Sequence, residues 1–208
     1  MLFRSGWALA HRANAQRFAG QLEVAIATAE LAYRAAVADE DGFLAVSALC
    51  VKGEALLELA ITAQAEPLEA TIAFGKAFGI TEMIGEDSSA APLAGLAHAH
   101  AVWGNQQKAL EQAEKAFKRA RAAKDSASVI RALLALYATT RIGSFARNAL
   151  TEAQAFNHKP LELLASLCVL EKDADPALAQ HALTLARLTG NAACATRASR
   201  FVTVESPA

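Results

Sequence analysis

Small apolar residues recur along this chain at intervals of three and four, and polar residues occupy most of the positions between them. The clearest run follows Gly104, where Ala109, Ala113, Ala116 and Ala120 are separated by steps of four, three and four. Such steps place side chains on one face of an α-helix, and alanine on that face lets a neighbouring helix approach closely. The pattern therefore predicts a helical hairpin that turns at Gly104.

The same register recurs at four other places, each beginning at residues that are typical of turns. The alanine sets are Ala25, Ala29 and Ala32 after Gly20; Ala70, Ala73 and Ala77 after Glu66-Pro67; Ala149 and Ala153 after Gly143; and Ala179, Ala182 and Ala186 after Asp175-Pro176. Pro176 suits a first helical turn, where its missing N–H has no intrahelical partner. Counted between turns at Gly20, Ala65, Gly104, Gly143 and Asp175, the mean period is about 39 residues, within the range of helical-repeat arrays.

These patterns predict a helix in every part of the chain except its turns and its ends. The predicted helices are 5–18, 21–38, 42–61, 66–78, 89–103, 105–123, 126–141, 144–156, 159–172, 176–188 and a short last helix, 192–200. The segment 79–91 is the most loop-like internal stretch, which we expect to be a kink in one array. A single domain is predicted over 6–201, with a tail at 202–208.

The composition agrees with an all-α fold. Hydrophobic residues make up 54% of the 208 residues, whereas Gly and Pro number only 11 and 5. Much of the apolar excess is alanine, the strongest helix former. No alternation of valine and isoleucine suggests a β-strand.

The segment Gly104–Ala116 reads G-N-Q-Q-K-A-L-E-Q-A-E-K-A, which has the form G-N-x-x-x-A-L-x-x-A-x-x-A. It resembles the tetratricopeptide repeat, and the resemblance extends in degenerate form from Gly6 to Thr189. The family implies an α-α superhelix, or solenoid, of about five antiparallel helical hairpins. HEAT-like repeats have a similar period but lack this motif. Most units here lack the family's proline at the repeat end, and several lack its large aromatic residue on the second helix.

The resemblance also implies a binding surface, because the first helix of each hairpin in such arrays lines a concave groove. Carrying the family register onto this chain gives the groove candidates Asn14, Arg17, Glu54, His98 and Tyr137, with Glu162 and Lys172 in the fifth hairpin. Some members clamp a terminal carboxylate with a cluster of Lys, Asn and Arg at these positions; Asn14 matches that pattern, whereas Glu54, His98 and Tyr137 do not. We therefore expect no such clamp here. The alternative is that these side chains solvate a surface that binds nothing.

No motif for catalysis or for a cofactor is found. Neither a G-x-S-x-G nucleophile motif nor a glycine-rich phosphate loop occurs. His98 and His100 are two residues apart on a predicted helix, so they point in different directions and cannot share a metal ion without a third ligand. The prediction is that the chain is not an enzyme and holds neither a metal nor a cofactor.

The positions of the cysteines and the balance of charged residues exclude further classes of protein. Cys50, Cys168 and Cys194 form no close pair and lie among apolar neighbours, which predicts buried free thiols and a cytoplasmic protein. The 20 basic residues are balanced by 21 acidic ones, so no direct contact with nucleic acid is expected. The most apolar stretch, Ala90–Gly104, is too short and too broken to cross a membrane.

These observations predict that the chain is a protein–protein interaction scaffold, which binds a peptide or protein through the concave groove. The long-helix repeats resemble the sensor arms of bacterial regulators, so we expect the chain to be part of a larger bacterial regulatory or signalling protein. The alternative is a small-molecule effector-sensing domain of a transcription regulator, with its ligand near His98 and Tyr137. An enzyme with a non-local site ranks third.

The N-terminal residues raise a separate hypothesis. Residues 2–5 read Leu-Phe-Arg-Ser, which one frame of a common DNA-sequencing adapter also encodes. We expect residues 1–5 to be a non-native read-through, with additional domains upstream in the full-length protein; a genuine short start is the alternative.

Overall fold

In the computed structural model, which describes residues 3–84 and 90–202, all of the regular structure is α-helical. This confirms the all-α prediction for that part of the chain. The eleven helices of the described residues are α1 (Phe3–Phe18), α2 (Leu22–Ala38), α3 (Gly42–Ala63), α4 (Leu68–Ile84), α5 (Ala90–Val102), α6 (Gln106–Ala123), α7 (Ser126–Thr140), α8 (Gly143–Ala155), α9 (Lys159–Leu170), α10 (Pro176–Thr189) and α11 (Ala192–Val202).

The main difference from the sequence-based prediction lies at the end of α4. We predicted that this helix ends at 78 and that 79–91 forms a loop, but α4 continues to Ile84 and α5 begins at Ala90. The helix continues because Ile80 packs on the core and Thr81 is buried, so tertiary contacts outweigh the low helix propensity of Gly79. The rest of the predicted loop, 85–89, lies outside the described residues. So do residues 1–2 and 203–208 of the two predicted terminal segments.

Turn chemistry explains where several helices begin and end. Gly20, Gly104 and Gly190 have left-handed backbone angles, with φ of +76°, +84° and +72°, at the ends of three helices. This conformation is strained for residues with a side chain. Asp41 caps α3 by accepting a hydrogen bond of 2.9 Å from the N–H of Leu44, as its position predicts.

The predicted alanine faces are buried. On α6, Ala109, Ala113, Ala116 and Ala120 are all fully inaccessible, which confirms the register derived from the strongest repeat unit. The alanine sets predicted for the other four units are buried in the same way: Ala25, Ala29, Ala32, Ala70, Ala73, Ala77, Ala149, Ala153, Ala179, Ala182 and Ala186. Side chains this small leave neighbouring backbones close together.

Helix contacts follow a regular order. Each helix packs on the next one along the chain, and the odd-numbered helices also pack on one another, α1 on α3, α3 on α5, α5 on α7, α7 on α9 and α9 on α11. The odd-numbered helices therefore form a continuous layer, which we call the odd layer. The even-numbered helices pack against this layer.

The first turn and the last turn of the described chain touch. The side-chain Nδ2 of Asn191 donates a hydrogen bond of 3.1 Å to the carbonyl of Phe18, 173 positions away, while its Oδ1 accepts one from the N–H of Cys194. A Cβ atom at Gly20 would lie 3.4 Å from that Oδ1. Asn191 thus caps α11 and fixes it to the end of α1.

Phe74 shows how closely the helices approach. Its ring is buried against Gly53 of α3 and Gly95 of α5, where an added Cβ atom would lie 2.8 Å and 2.2 Å from the ring. Neither glycine has a left-handed backbone angle, so the requirement is for space. The two glycines form the socket for the largest side chain of α4 in the core.

We predict that Gly95→Ala lowers the free energy of unfolding by about 2 kcal/mol, because the methyl group overlaps the Phe74 ring. Gly75→Ala is the matched control: no heavy atom lies within 4 Å of a Cβ there, so it should gain up to ~1 kcal/mol from helix propensity. Urea denaturation measures both. Equal effects of the two variants would contradict the socket.

Candidate functional site

The odd layer holds a group of charged side chains that we call the central cluster: Arg17, Glu54, Glu58 and Arg131. Arg17 lies one residue before the end of α1, and the two glutamates are one turn apart on α3, so both face α1. The guanidinium of Arg17 contacts Glu54 at 3.0 Å and Glu58 at 2.5 Å. Arg131 of α7 reaches the other oxygen of Glu54 at 2.6 Å.

Glu54 is the hub of this cluster because its carboxylate lies between two guanidinium groups. Burial by itself would raise the pKa of Glu54, but Arg131 and Arg17 outweigh burial and hold that pKa below its ordinary value. Burial opposes the charge of Arg131 as well, yet Glu54 raises the pKa of Arg131. Glu58 differs, since burial raises its pKa against the opposing charge of Arg17. The arrangement is therefore fixed by charge pairing around Glu54.

The charge of Glu54 acts on His98 of α5 and favours the protonated form of its imidazole. Burial lowers the pKa of His98 to about 4, and Glu54 only partly opposes that effect. The imidazole is therefore neutral near pH 7. His100, two residues further along, instead stacks on Trp103, with 6.4 Å between the ring centroids. The two histidines therefore contact different groups of residues.

Four of the five predicted groove residues lie in or beside the central cluster. Asn14 accepts a long hydrogen bond of 3.5 Å from Arg17, and the guanidinium of Arg17 also lies 4.0 Å from the centre of the Phe18 ring. Arg17 is only 3% exposed, whereas Asn14, Glu54 and His98 keep partial access to solvent. The buried Arg17 thus fixes the positions of the more accessible Asn14 and Glu54, which it contacts.

Tyr137, the fifth predicted residue, belongs to a second group that we call the peripheral cluster: Tyr137, Arg141, Glu171 and Arg197. The hydroxyl of Tyr137 donates to Glu171 at 3.1 Å, and burial, with the charge of Glu171, raises the pKa of this phenol. Arg197 and Arg141 contact the same carboxylate at 2.9 Å and 3.6 Å. Tyr137 is 2% exposed, so the accessible side chains of this cluster are its two arginines and, to a lesser degree, Glu171.

The two fifth-hairpin candidates lie elsewhere. Glu162 is buried, forms an ion pair with Lys159 at 2.9 Å, and lies within hydrogen-bond distance, 2.7 Å, of the Nε2 of His181 of α10. It therefore joins α9 to an even-numbered helix. Lys172 is exposed in the turn after α9.

Sequence reasoning missed Arg131, Glu58, Arg197 and Asn191. For Arg131 a signal exists, because a single charged residue interrupts the apolar run from Val129 to Tyr137. A charge on an otherwise apolar helix face needs a partner. The identity of that partner could not be read from the sequence, since Glu54 is 77 positions away.

The remaining chemistry of the site is modest. Burial raises the pKa of Cys50 and of Cys168 to about 12, and that of Cys194 to about 11, so these free thiols carry little thiolate near neutral pH. Among residues 3–84 and 90–202, no three side chains of His, Cys, Asp or Glu are grouped to hold a metal ion. No helix within those ranges is long and apolar enough to span a membrane.

A small cavity lies next to Arg17 and Glu58, where the first and last turns meet. Its walls include Phe18, Leu163 and Asn191, and its volume of about 10 Å³ has room for about one water molecule. It is too small for a metabolite.

Comparison with known proteins gives no further guide to the role of this site. No protein-family model matches the chain, and no curated protein matches it.

We predict that Glu54→Gln lowers the free energy of unfolding by about 3 kcal/mol, because two largely buried guanidinium groups lose their shared counter-charge. Glu30→Gln is the control. Glu30 contacts Lys52 at 2.7 Å and Arg34 at 3.4 Å but is more exposed, so its loss should cost under ~1 kcal/mol. Similar losses for both variants, by urea denaturation, would show that Glu54 is not the hub.

The neutral His98 predicts a pH dependence of stability. Its pKa is about 4 in the folded chain against 6.5 when unperturbed, so the unfolded state binds more protons between these values. This contribution destabilises the fold progressively as the pH falls from 6.5 to about 4, and it is absent above 6.5. We expect His98→Gln to reduce the fall in the free energy of unfolding over that window by roughly 2 kcal/mol, as measured by urea denaturation at each pH. An unchanged pH profile would contradict a His98 imidazole that is neutral in the folded chain.

Proposed function

We propose that this chain is a protein–protein interaction scaffold of the tetratricopeptide-like kind, and that a protein or peptide partner binds along the odd layer. The order in which the helices pack on one another supports the repeat interpretation. Each helix packs on the next, and each odd-numbered helix packs on the following odd-numbered one, as expected if α1 to α10 form five successive hairpins and α11 packs on the last of them. Such arrays use the layer formed by their first helices as an extended binding surface.

The observation that carries the proposal is a line of alternating charges along the odd layer. It begins at Arg131 and passes through Glu54, Arg17 and Glu58 of the central cluster. The positive charge of Arg197 acts on Glu58, and Arg197 also contacts Glu171 of the peripheral cluster. The line therefore joins helices from both halves of the chain.

Exposure changes along this line. The central cluster is largely buried and its charges are compensated, so it holds the odd-numbered helices in register. At the other end, Arg141 is 64% exposed and Arg197 is 46% exposed, and both share the single carboxylate of Glu171. Two accessible guanidinium groups on one carboxylate leave a positive excess, which favours an acidic segment of the partner.

The groove residues predicted from the sequence fit this proposal in two roles. Asn14, Glu54 and His98 are partly accessible and are proposed to contact the partner. Arg17 and Tyr137 are buried and are proposed to position the accessible side chains, Arg17 through Glu54 and Tyr137 through Glu171. Attachment to a larger regulatory protein remains part of the hypothesis.

The alternative, a small-molecule effector domain, receives less support from the geometry. The enclosed cavity beside the central cluster has room for about one water molecule, whereas metabolite sites enclose a few hundred Å³. A hollow of about 720 Å³ beside Trp103 and Lys108 is open to solvent and is lined by neither His98 nor Tyr137. A thermal-shift screen with metabolites separates the two proposals, because a ligand of the native state raises the melting temperature. A metabolite that raises the melting temperature of the unmodified chain but not that of the His98→Gln variant would favour the effector domain.

For the scaffold, we predict that Arg141→Glu combined with Arg197→Glu reduces partner capture at least roughly tenfold, since each change replaces attraction for an acidic segment with repulsion. The tagged chain is used as bait in a lysate of its native cells, and bound proteins are quantified by mass spectrometry. Crosslinking then maps the contact on the bait.

Arg34→Glu is the matched control, because Arg34 is an exposed arginine on the even-numbered helix α2, away from the odd layer. The control should leave capture within twofold of the unmodified chain. Loss of capture in the control but not in the double variant would move the binding surface to the even-numbered helices and overturn the proposal.

A further inference from the structure

The outward face of α4 is largely apolar. Part of the outward face of α2 is apolar as well, since Val24 and Leu31 are half-exposed. Leu68, Ile72, Gly75, Gly79 and Met83 follow one another at steps of four, three, four and four, which places them in one line along the helix. We call this line the α4 stripe. Leu68 and Ile72 are half-exposed, and Met83 is 79% exposed.

The position of α4 in the fold does not require an apolar outward face. On α6, which occupies the equivalent place in its hairpin, the outward positions are occupied by Glu111, Glu114, Lys115 and Lys118. On α8 they include Arg147, Asn148 and Thr151. Among the described even-numbered helices, α4 alone combines exposed apolar side chains with two internal glycines, and an exposed apolar surface commonly marks an interface.

The two glycines of the stripe form an open notch. No heavy atom lies within 4 Å of a Cβ position at Gly75 or at Gly79. The buried glycines Gly53 and Gly95 differ, because the Phe74 ring fills their sockets. The notch between Gly75 and Gly79 is thus one turn long and shallow, bordered by Ile72 and Met83, and can receive one apolar side chain from another helix.

A second α4 in antiparallel orientation matches this surface. When the twofold axis passes beside Ile72 and Ala73, residue 68 of one copy lies opposite position 77 of the other. Leu68 then enters the notch between Gly75 and Gly79, and the symmetric contact forms at the other end. An interface of this type is self-complementary, as a twofold dimer requires.

The charges beside the stripe agree with the same register. Glu69 and Lys76 are both exposed and lie seven residues apart on the same flank of α4. Two helical turns, about 10 Å, separate them within one chain, and neither has an ion-pair partner among the described residues. In the antiparallel register, residue 69 faces residue 76, so two Glu69–Lys76 pairs form between the copies.

We propose that the α4 stripe is a homodimer interface, in which a second copy of this chain docks its own α4 antiparallel, with Leu68 seated in the Gly75–Gly79 notch and Glu69 facing Lys76. The interface lies on an even-numbered helix. It therefore leaves the odd layer of each copy accessible and would present two partner-binding surfaces in one assembly.

Sedimentation velocity over a concentration series tests the proposal on the full chain. The unmodified chain should shift from monomer to dimer as its concentration rises. Gly79→Leu fills the notch and should abolish the shift, while it raises the melting temperature because leucine favours a helix more than glycine does. Ala122→Leu is the control, since it adds similar apolar bulk to an exposed position of α6 and should leave the dimer unchanged.

A charge exchange tests the register. Glu69→Lys or Lys76→Glu alone places two like-charged contacts in the dimer and should weaken it roughly tenfold, because two exposed pairs are lost and replaced by repulsion. The double variant, with both changes, restores opposite charges and should recover the dimer. Recovery identifies the antiparallel register, because only the 69-to-76 pairing is preserved by the exchange.

Three outcomes would overturn the proposal. A chain that remains monomeric at every concentration would mean that the stripe is covered by a different partner or by nothing. A dimer that survives Gly79→Leu would place the interface elsewhere. A double charge variant as weak as the two single variants would exclude the antiparallel register. Each result is independent of whether the odd layer binds a protein.

Discussion

Close approach between neighbouring helices is the constraint on which the rest of this structure depends. Alanine occupies the contact face of every even-numbered helix from α2 to α10, and these alanines are almost completely inaccessible. Short side chains bring backbones together, so a large residue in the core needs a matching gap. Phe74 shows this directly, since it fits only because Gly53 and Gly95 lack a Cβ atom.

The same closeness shapes the charged interior. Helices that pack this tightly leave little space for water around Arg17 and Glu54, and charges removed from water must be paired. The central cluster meets that requirement by sharing one carboxylate between two guanidinium groups. Such a cluster adds less net stability than apolar packing of equal volume, but it penalises every arrangement that separates its members. We therefore interpret it as a device that fixes the relative positions of α1, α3 and α7.

The two clusters divide the odd layer into a fixed part and an accessible part. The central cluster is largely compensated and buried, while Arg141 and Arg197 extend into solvent around Glu171. A rigid support with accessible charges at one end suits recognition of another protein, because little conformational entropy is lost on binding. The even-numbered helices add a separate surface, on which α4 is apolar and α6 and α8 are polar.

Most of the fold could be predicted from the sequence, and only part of the candidate site. Helix positions and the buried alanine faces depend on residues within a few positions of one another, so periodicity alone was sufficient. The end of α4 was the exception, because contacts of Ile80 and Thr81 with other helices outweighed a local glycine signal.

The repeat register selected Asn14, Arg17, Glu54 and His98, which lie in or beside the central cluster, but it did not select Arg131 or Asn191. Their partners, Glu54 and Phe18, are 77 and 173 positions away. Which distant residues meet depends on helix crossing angles accumulated over many pairs, and small changes in each angle move the ends of the array by a large distance. The sequence by itself therefore determined the helices and their buried faces, whereas only the tertiary structure decided which charges pair across the odd layer.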